Sequence, residues 1–196
     1  MAGGLNKQFL KDPLLFLRKY LISVVDGNMQ TGTNKVGFYA DRERVLLKQF
    51  IGPVGKHQHP FNCYFLRALP DTLNPGIGFS GATEDYFFTS TLSGCQFLAY
   101  GASRNSLTIE HNNYLSGHGS YDGRYQQIQG GAVSARIHNG GSYNIDDDDV
   151  GNVVGIRDGG GWHFYFQKIG REKGAMVKTS GKIVVSKKTI TVEQLF

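Results

Sequence analysis

Cysteine is almost missing. Two residues, Cys63 and Cys95, in a chain of 196 cannot build a disulfide framework, so reduced thiols are expected. Charge is also thin: only 19% of residues are charged, which excludes a solvated disordered tail. No apolar run approaches the ~18 residues that a membrane-crossing helix needs. The opening Met1-Ala2-Gly3-Gly4-Leu5-Asn6-Lys7 lacks the apolar core and small-residue cleavage site of a secretory signal. The 21 Lys and Arg against 16 Asp and Glu leave a net charge of +5, too diffuse to identify an acidic partner. No basic patch follows a nucleic-acid motif. Neither a nucleic acid nor a membrane is therefore expected as a direct partner.

What is abundant is glycine, with 27 residues, about twice its ordinary share, accompanied by 13 Phe and 10 Tyr. The glycines keep no fixed period, which excludes collagen-like and low-complexity chains and leaves a turn-rich β protein. The length suits a single domain over 1–196 with one sizeable core. Two early helices are expected. Asp12 as cap and Pro13 at the first helical position open one, whose apolar face is Leu14, Leu17, Leu21, Val24 and Val25, stopped by Asp26-Gly27. The other is expected over 41–50, with Val45, Leu46, Leu47 and Phe50 inward and Gly52-Pro53 as its stop.

From Phe61 onward, short β-branched and aromatic runs alternate with Gly, Asn, Asp and Pro. Strands are expected over 63–66, 86–89, 96–100, 107–110, 133–137, 162–169, 182–185 and 189–192. Trp162, Phe164 and Phe166 alternate with His163, Tyr165 and Gln167, the period of a strand with one buried face. The predicted fold class is α+β: a β-sandwich-like core of mixed sheets flanked by two N-terminal helices and long loops.

The segment most informative for function is Thr89-Ser90-Thr91-Leu92-Ser93-Gly94-Cys95, where a cysteine follows a small flexible step and precedes a strand. The next strand runs into His111, across Gly101-Ala102-Ser103-Arg104-Asn105, a connection suited to a hairpin. Pairing Tyr100 with Ser106 sets Cys95 directly opposite His111 on one face. A slip of one residue would part them to opposite faces. An imidazole beside a thiol can take its proton and create the attacking thiolate. The backbone N–H groups at Gly94 and its neighbours Ser93 and Cys95 can then hold a developing oxyanion.

Leu92-Ser93-Gly94-Cys95 resembles the Leu-Ser-Gly-Cys signature of a family of bacterial glutamine-deamidating toxins, comprising the cytotoxic necrotizing factor catalytic domains and the stand-alone Burkholderia lethal factor. The resemblance extends to Thr89, six residues before the cysteine, and to His111, sixteen after it, and covers about a tenth of the chain. It implies a catalytic Cys95, His111 and Thr89, with Thr89 orienting the imidazole through its hydroxyl or its carbonyl. It further implies conversion of glutamine to glutamate in a host protein without metal or organic cofactor. The stand-alone length points to the DEAD-box helicase of translation initiation as target, with Rho-family GTPases as the alternative. Such a protein would be secreted or injected, as a monomer, and act in the host cytosol.

His118, beyond Gly117, competes for the histidine role but is not brought opposite Cys95 by the hairpin. His57 and His59 with Cys63 lack an evident fourth metal ligand and read as a polar loop. Asp146-Asp147-Asp148-Asp149 lacks the glycine and terminal Glu of a calcium loop and reads as a solvated turn. Cys63 reads as a buried strand residue. Two other functions compete with the deamidase: a cysteine peptidase or acyltransferase, and a non-catalytic β-sandwich module binding carbohydrate or protein through exposed Tyr and Trp.

Overall fold

The computed structural model describes residues 2–41, 44–55, 58–69, 76–79, 82–113, 121–128, 133–138, 140–144, 149–171, 176–179, 182–185 and 188–196. It is a four-layer α+β arrangement. Helices α1 (Ala2–Lys11) and α2 (Pro13–Lys19) cover one face of an eight-stranded mixed sheet. A four-stranded sheet packs on the other face, and α3 (Tyr121–Ile128) lies beyond that.

In the large sheet the strands run β1 (Ile22–Val25), β3 (Arg44–Gln49), β2 (Gly32–Asp41), β4 (Phe61–Leu66), β6 (Tyr86–Thr89), β10 (Val150–Asp158), β11 (Gly161–Arg171) and β14 (Lys188–Gln194). The β1–β3 and β4–β6 pairs are parallel, and the others are antiparallel. The smaller sheet runs β5 (Ile77–Gly78), β8 (Ser106–Asn112), β7 (Gln96–Ser103) and β9 (Val133–His138). A separate ribbon joins β12 (Met176–Thr179) to β13 (Lys182–Val185).

Two N-terminal helices are present: the one expected from Asp12 and Pro13 begins as expected but ends early, and the other is α1 rather than the expected 41–50 helix. Asp12 does cap α2, accepting from the Leu15 N–H at 2.9 Å with Pro13 in the first turn, yet the chain turns extended at Tyr20 and continues as β1. The expected 41–50 helix is instead the β2–β3 hairpin. Val45 and Leu47 are buried while Arg44 is exposed, a period of two that a helix reading of Val45-Leu46-Leu47 overlooks. Helix α1, invisible to that reading, docks through Phe9. This ring is fully buried, with centroids 4.9–5.8 Å from Phe16, Phe38, Phe61, Tyr86 and Phe88.

Alternation along the central strands feeds both faces. On β11, Trp162, Phe164 and Phe166 enter the core between the sheets with Phe87, Phe97, Ile109 and Ile137. Tyr165 and Gln167, expected on an open face, are buried beneath the helical layer. Gly151 and Gly155 on β10 leave room for these rings; a Cβ on Gly151 would lie 2.1 Å from the Phe166 ring.

Gln167 and its cross-strand partner Asn152 are wholly buried and satisfy the free edge of β1. Gln167 accepts from the Ile22 N–H (3.1 Å) and donates to the carbonyls of Leu17 (2.6 Å) and Tyr20 (2.8 Å). Asn152 donates to the Ile22 carbonyl (2.9 Å) and accepts from the Thr91 hydroxyl (3.0 Å). Gln167→Ala strands three buried backbone groups at once and is expected to cost about 2–4 kcal/mol in urea unfolding. A loss below about 0.5 kcal/mol would show that this amide does not hold β1.

Candidate functional site

Cys95 is the residue immediately before β7, and the chain reaches it through a sharp local step. Leu92 exchanges both backbone hydrogen bonds with Gly151 of β10 (2.7 and 3.1 Å), which pins the segment to the large sheet. Gly94 then adopts a φ of +93°, in the region that favours glycine, and turns the chain into β7 of the smaller sheet. The phenol of Tyr143, from the connection between β9 and β10, spans this turn. It accepts from the Gly94 N–H (3.0 Å) and donates to the Cys95 carbonyl (2.7 Å).

The β7–β8 register differs from the expected one by two residues. Tyr100 pairs with Thr108 rather than Ser106, because the connection tightens to a two-residue turn at Arg104-Asn105 with an irregularity between Gly101 and Ser103. His111 therefore stands directly opposite Phe97, and Cys95 lies just outside the ladder, before its last pair, Gln96 with Asn112. A two-residue shift preserves the face, so thiol and imidazole still point toward the interior between the sheets.

His111 is fully buried, and burial pushes its pKa down from 6.5 to about 4, against an opposing pull from the nearby Asp26 carboxylate. Asp26 follows β1 and accepts from the Ser90 hydroxyl (2.7 Å), whose oxygen in turn accepts from the Ala68 N–H (3.0 Å). Burial raises the Cys95 pKa, while the Ser93 backbone N–H, hydrogen-bonded toward the sulfur, lowers it. The resting pair is consequently an uncharged thiol beside an uncharged imidazole. Cys95 is only 4% exposed, whereas Ser93 is open to solvent and Gly94 half so, which leaves the Ser93-Gly94 step as the side of approach.

Thr89 is buried at the end of β6, its hydroxyl donating to the Ser90 carbonyl at 2.5 Å. The hydroxyl proton is thus engaged locally. On the opposite face of β8, Glu110 is gripped by Arg124 of α3, by Tyr100 (2.7 Å) and by Asn112 (2.9 Å). Burial would raise this carboxyl, but these donors hold it below the ordinary carboxylate range. Asp26, Ser90, Tyr143 and Asn152 were not singled out by motif or spacing. Asp26-Gly27 reads as a helix stop, and only the β1 trajectory brings its carboxylate to the site.

The other candidates lie apart. Cys63 is buried in the helix-facing core and is a free thiol, as is Cys95; burial and the nearby Glu84 push its pKa far upward. His57, His118 and Asp146 to Asp148 lie outside the described residues. His59 and Asp149 are described, and Asp149 is ion-paired to Lys168 at 2.8 Å. Among the described residues no group of three or more His, Cys, Asp or Glu is arranged to hold a metal. No described helix is long and apolar enough to cross a membrane. Neither protein-family models nor curated proteins yield a match to this chain.

The His111 shift has a sign that can be checked. A histidine whose folded pKa lies below its unfolded value binds more protons when unfolded, so stability is present above about pH 6.5 and is lost as pH falls toward 4. The loss should approach about 3 kcal/mol. Urea unfolding at neutral pH and near pH 4.5 should show a steeper acid loss in the wild type than in His111→Gln; equal losses would mean that the imidazole titrates normally.

Proposed function

We propose that this chain is a toxin-type protein-glutamine deamidase with Cys95 as nucleophile and His111 as general base. The observation that supports the reading is that Cys95, just before the Gln96–Asn112 pair, and His111, opposite Phe97, are both buried at the same end of the β7–β8 ladder, with the imidazole uncharged and able to accept a proton. Asp26 supplies the negative charge that favours the imidazolium once the proton has moved.

The reaction balances as carboxamide plus water giving carboxylic acid plus ammonia. His111 takes the thiol proton, and the thiolate attacks the glutamine carboxamide carbon to form a C–S bond and an oxyanion. Backbone N–H groups of the Ser93-to-Cys95 step stabilise that charge. The C–N bond breaks as His111 returns the proton to the leaving nitrogen. Water, deprotonated by the same imidazole, then hydrolyses the thioester and leaves glutamate. Thr89 contributes through its backbone carbonyl or as a hydroxyl acceptor, its own proton being held by Ser90. The residues require no cofactor for these steps.

The partner in this reading is a host protein, the DEAD-box helicase of translation initiation before a Rho-family GTPase, reached in the host cytosol after secretion or injection of a monomeric toxin. Modification of the helicase would inhibit translation. For the alternative, a carbohydrate-binding module, Trp162, the only tryptophan, is 1% exposed and so supplies no surface ring.

Incubation with purified helicase or GTPase followed by peptide mass spectrometry should reveal one glutamine converted to glutamate in an uncut chain. Cys95→Ala and His111→Ala should abolish this while remaining folded, and Asp26→Asn should reduce kcat/KM by about tenfold. Cleavage of the target would substitute a peptidase for the deamidase. An unmodified target in every host lysate fraction, or full activity of Cys95→Ala, would remove the proposal.

A further inference from the structure

Tyr143 is 1% exposed, and its ring packs 6.0 Å from that of Phe166. A phenol so deeply placed needs partners for its oxygen, and it finds them on the two residues that determine where Cys95 points. Accepting from Gly94 N–H and donating to Cys95 C=O, one hydroxyl spans the left-handed turn from both sides. Gly94 favours this turn conformationally, but a glycine also has the freest alternatives, so an external brace is what makes the conformation singular. Leu92 is anchored independently on Gly151, which leaves the Ser93-to-Cys95 peptide units as the part that the phenol orders.

We infer that Tyr143 is the positioning residue of the thiol: its hydroxyl holds the Gly94–Cys95 backbone and so fixes the direction in which the Cys95 sulfur leaves the turn. The inference rests on the reading of Cys95 as nucleophile. It also assigns the connection between β9 and β10 a part in the chemistry, since the segment that carries Tyr143 is closed on itself by Gly140 N–H to Tyr143 C=O (2.8 Å) and Ser142 N–H to His138 C=O (3.0 Å). The ring is thereby supplied by a locally ordered turn rather than by a passing strand.

The test is Tyr143→Phe, which retains the ring and removes only the hydroxyl. Iodoacetamide alkylation of Cys95, followed against pH by peptide mass spectrometry, reads the thiol without any substrate, and labelling of the fully buried Cys63 reports any unfolding. Loss of the brace should let the sulfur move away from the Ser93 backbone, whose influence lowers its pKa, and move the alkylation midpoint up by about half a pH unit. With the target protein, kcat should fall about tenfold at little-changed KM. Faster alkylation at every pH with the same midpoint indicates loosened packing alone and overturns the inference, as does an unchanged profile. A raised midpoint in a protein that deamidates nothing upholds the brace and defeats the deamidase; an unchanged midpoint with an active wild type does the reverse. Should the variant fail to fold, hydrogen exchange at the wild-type Gly94 amide decides. Protection supports the bond to Tyr143, and exchange as fast as at an open amide overturns it.

Discussion

The free edge of β1 needs partners for its backbone, and two buried side-chain amides provide them. Asn152 and Gln167 stand opposite one another on β10 and β11, and between them they bind the N–H and the carbonyl of Ile22. An unpaired strand edge buried under helices would leave polar groups without water, at about 1–3 kcal/mol each. The same two amides reach further. Gln167 ties down the end of α2 through Leu17 and Tyr20, and Asn152 receives the Thr91 hydroxyl just ahead of Leu92. The N-terminal layer and the approach to Cys95 consequently share one polar support within an otherwise aromatic interior.

From that support follows the location of Asp26. Strand β1 is held at Ile22 and paired with β3 through Val25, so its next residue is delivered beside Ser90 at the end of the sandwich. A carboxylate is thus brought within electrostatic reach of a buried imidazole from a segment 85 positions away in the chain, His111. Low polarity at this end works against charge on either member of the thiol–imidazole pair. In the proposed reaction, proton transfer would be deferred until a carbonyl is present to receive the sulfur's electrons, and the thiol would depend on orientation more than on ionisation.

The opposite side of β8 is built differently. Glu110 takes hydrogen bonds from Arg124, Tyr100 and Asn112, so its charge is compensated and α3 is bound to the outer face of the smaller sheet. Adjacent residues on one strand therefore meet contrasting surroundings: Glu110 has its charge stabilised by donors, while His111 is kept neutral by burial. Alternation of side chains across a strand is sufficient to produce this contrast.

Local pattern was decisive for several elements. Tyr86–Thr89 and Lys182–Val185 have the expected bounds, Asp12 and Pro13 open a helix, and Gly94 marks the turn before Cys95. Those features depend on side-chain alternation, capping and φ preference, all contained within a few residues. Ile22–Val25 and Arg44–Gln49 became strands because each found a partner edge, and Val45-Leu46-Leu47 carries no local mark that separates a strand from a helix. The register of β7 on β8 was likewise set by how tightly the chain could turn at Arg104-Asn105, which placed His111 opposite Phe97 rather than Cys95. Residue types and their order established by themselves a sheet-rich fold, a helix opened by Asp12 and Pro13, and a cysteine poised before a strand. Only tertiary structure decided that Tyr143 bonds its carbonyl and that Asp26 and Ser90 stand near His111, because strand pairing and burial join segments whose separation in the chain contains no trace of their contact.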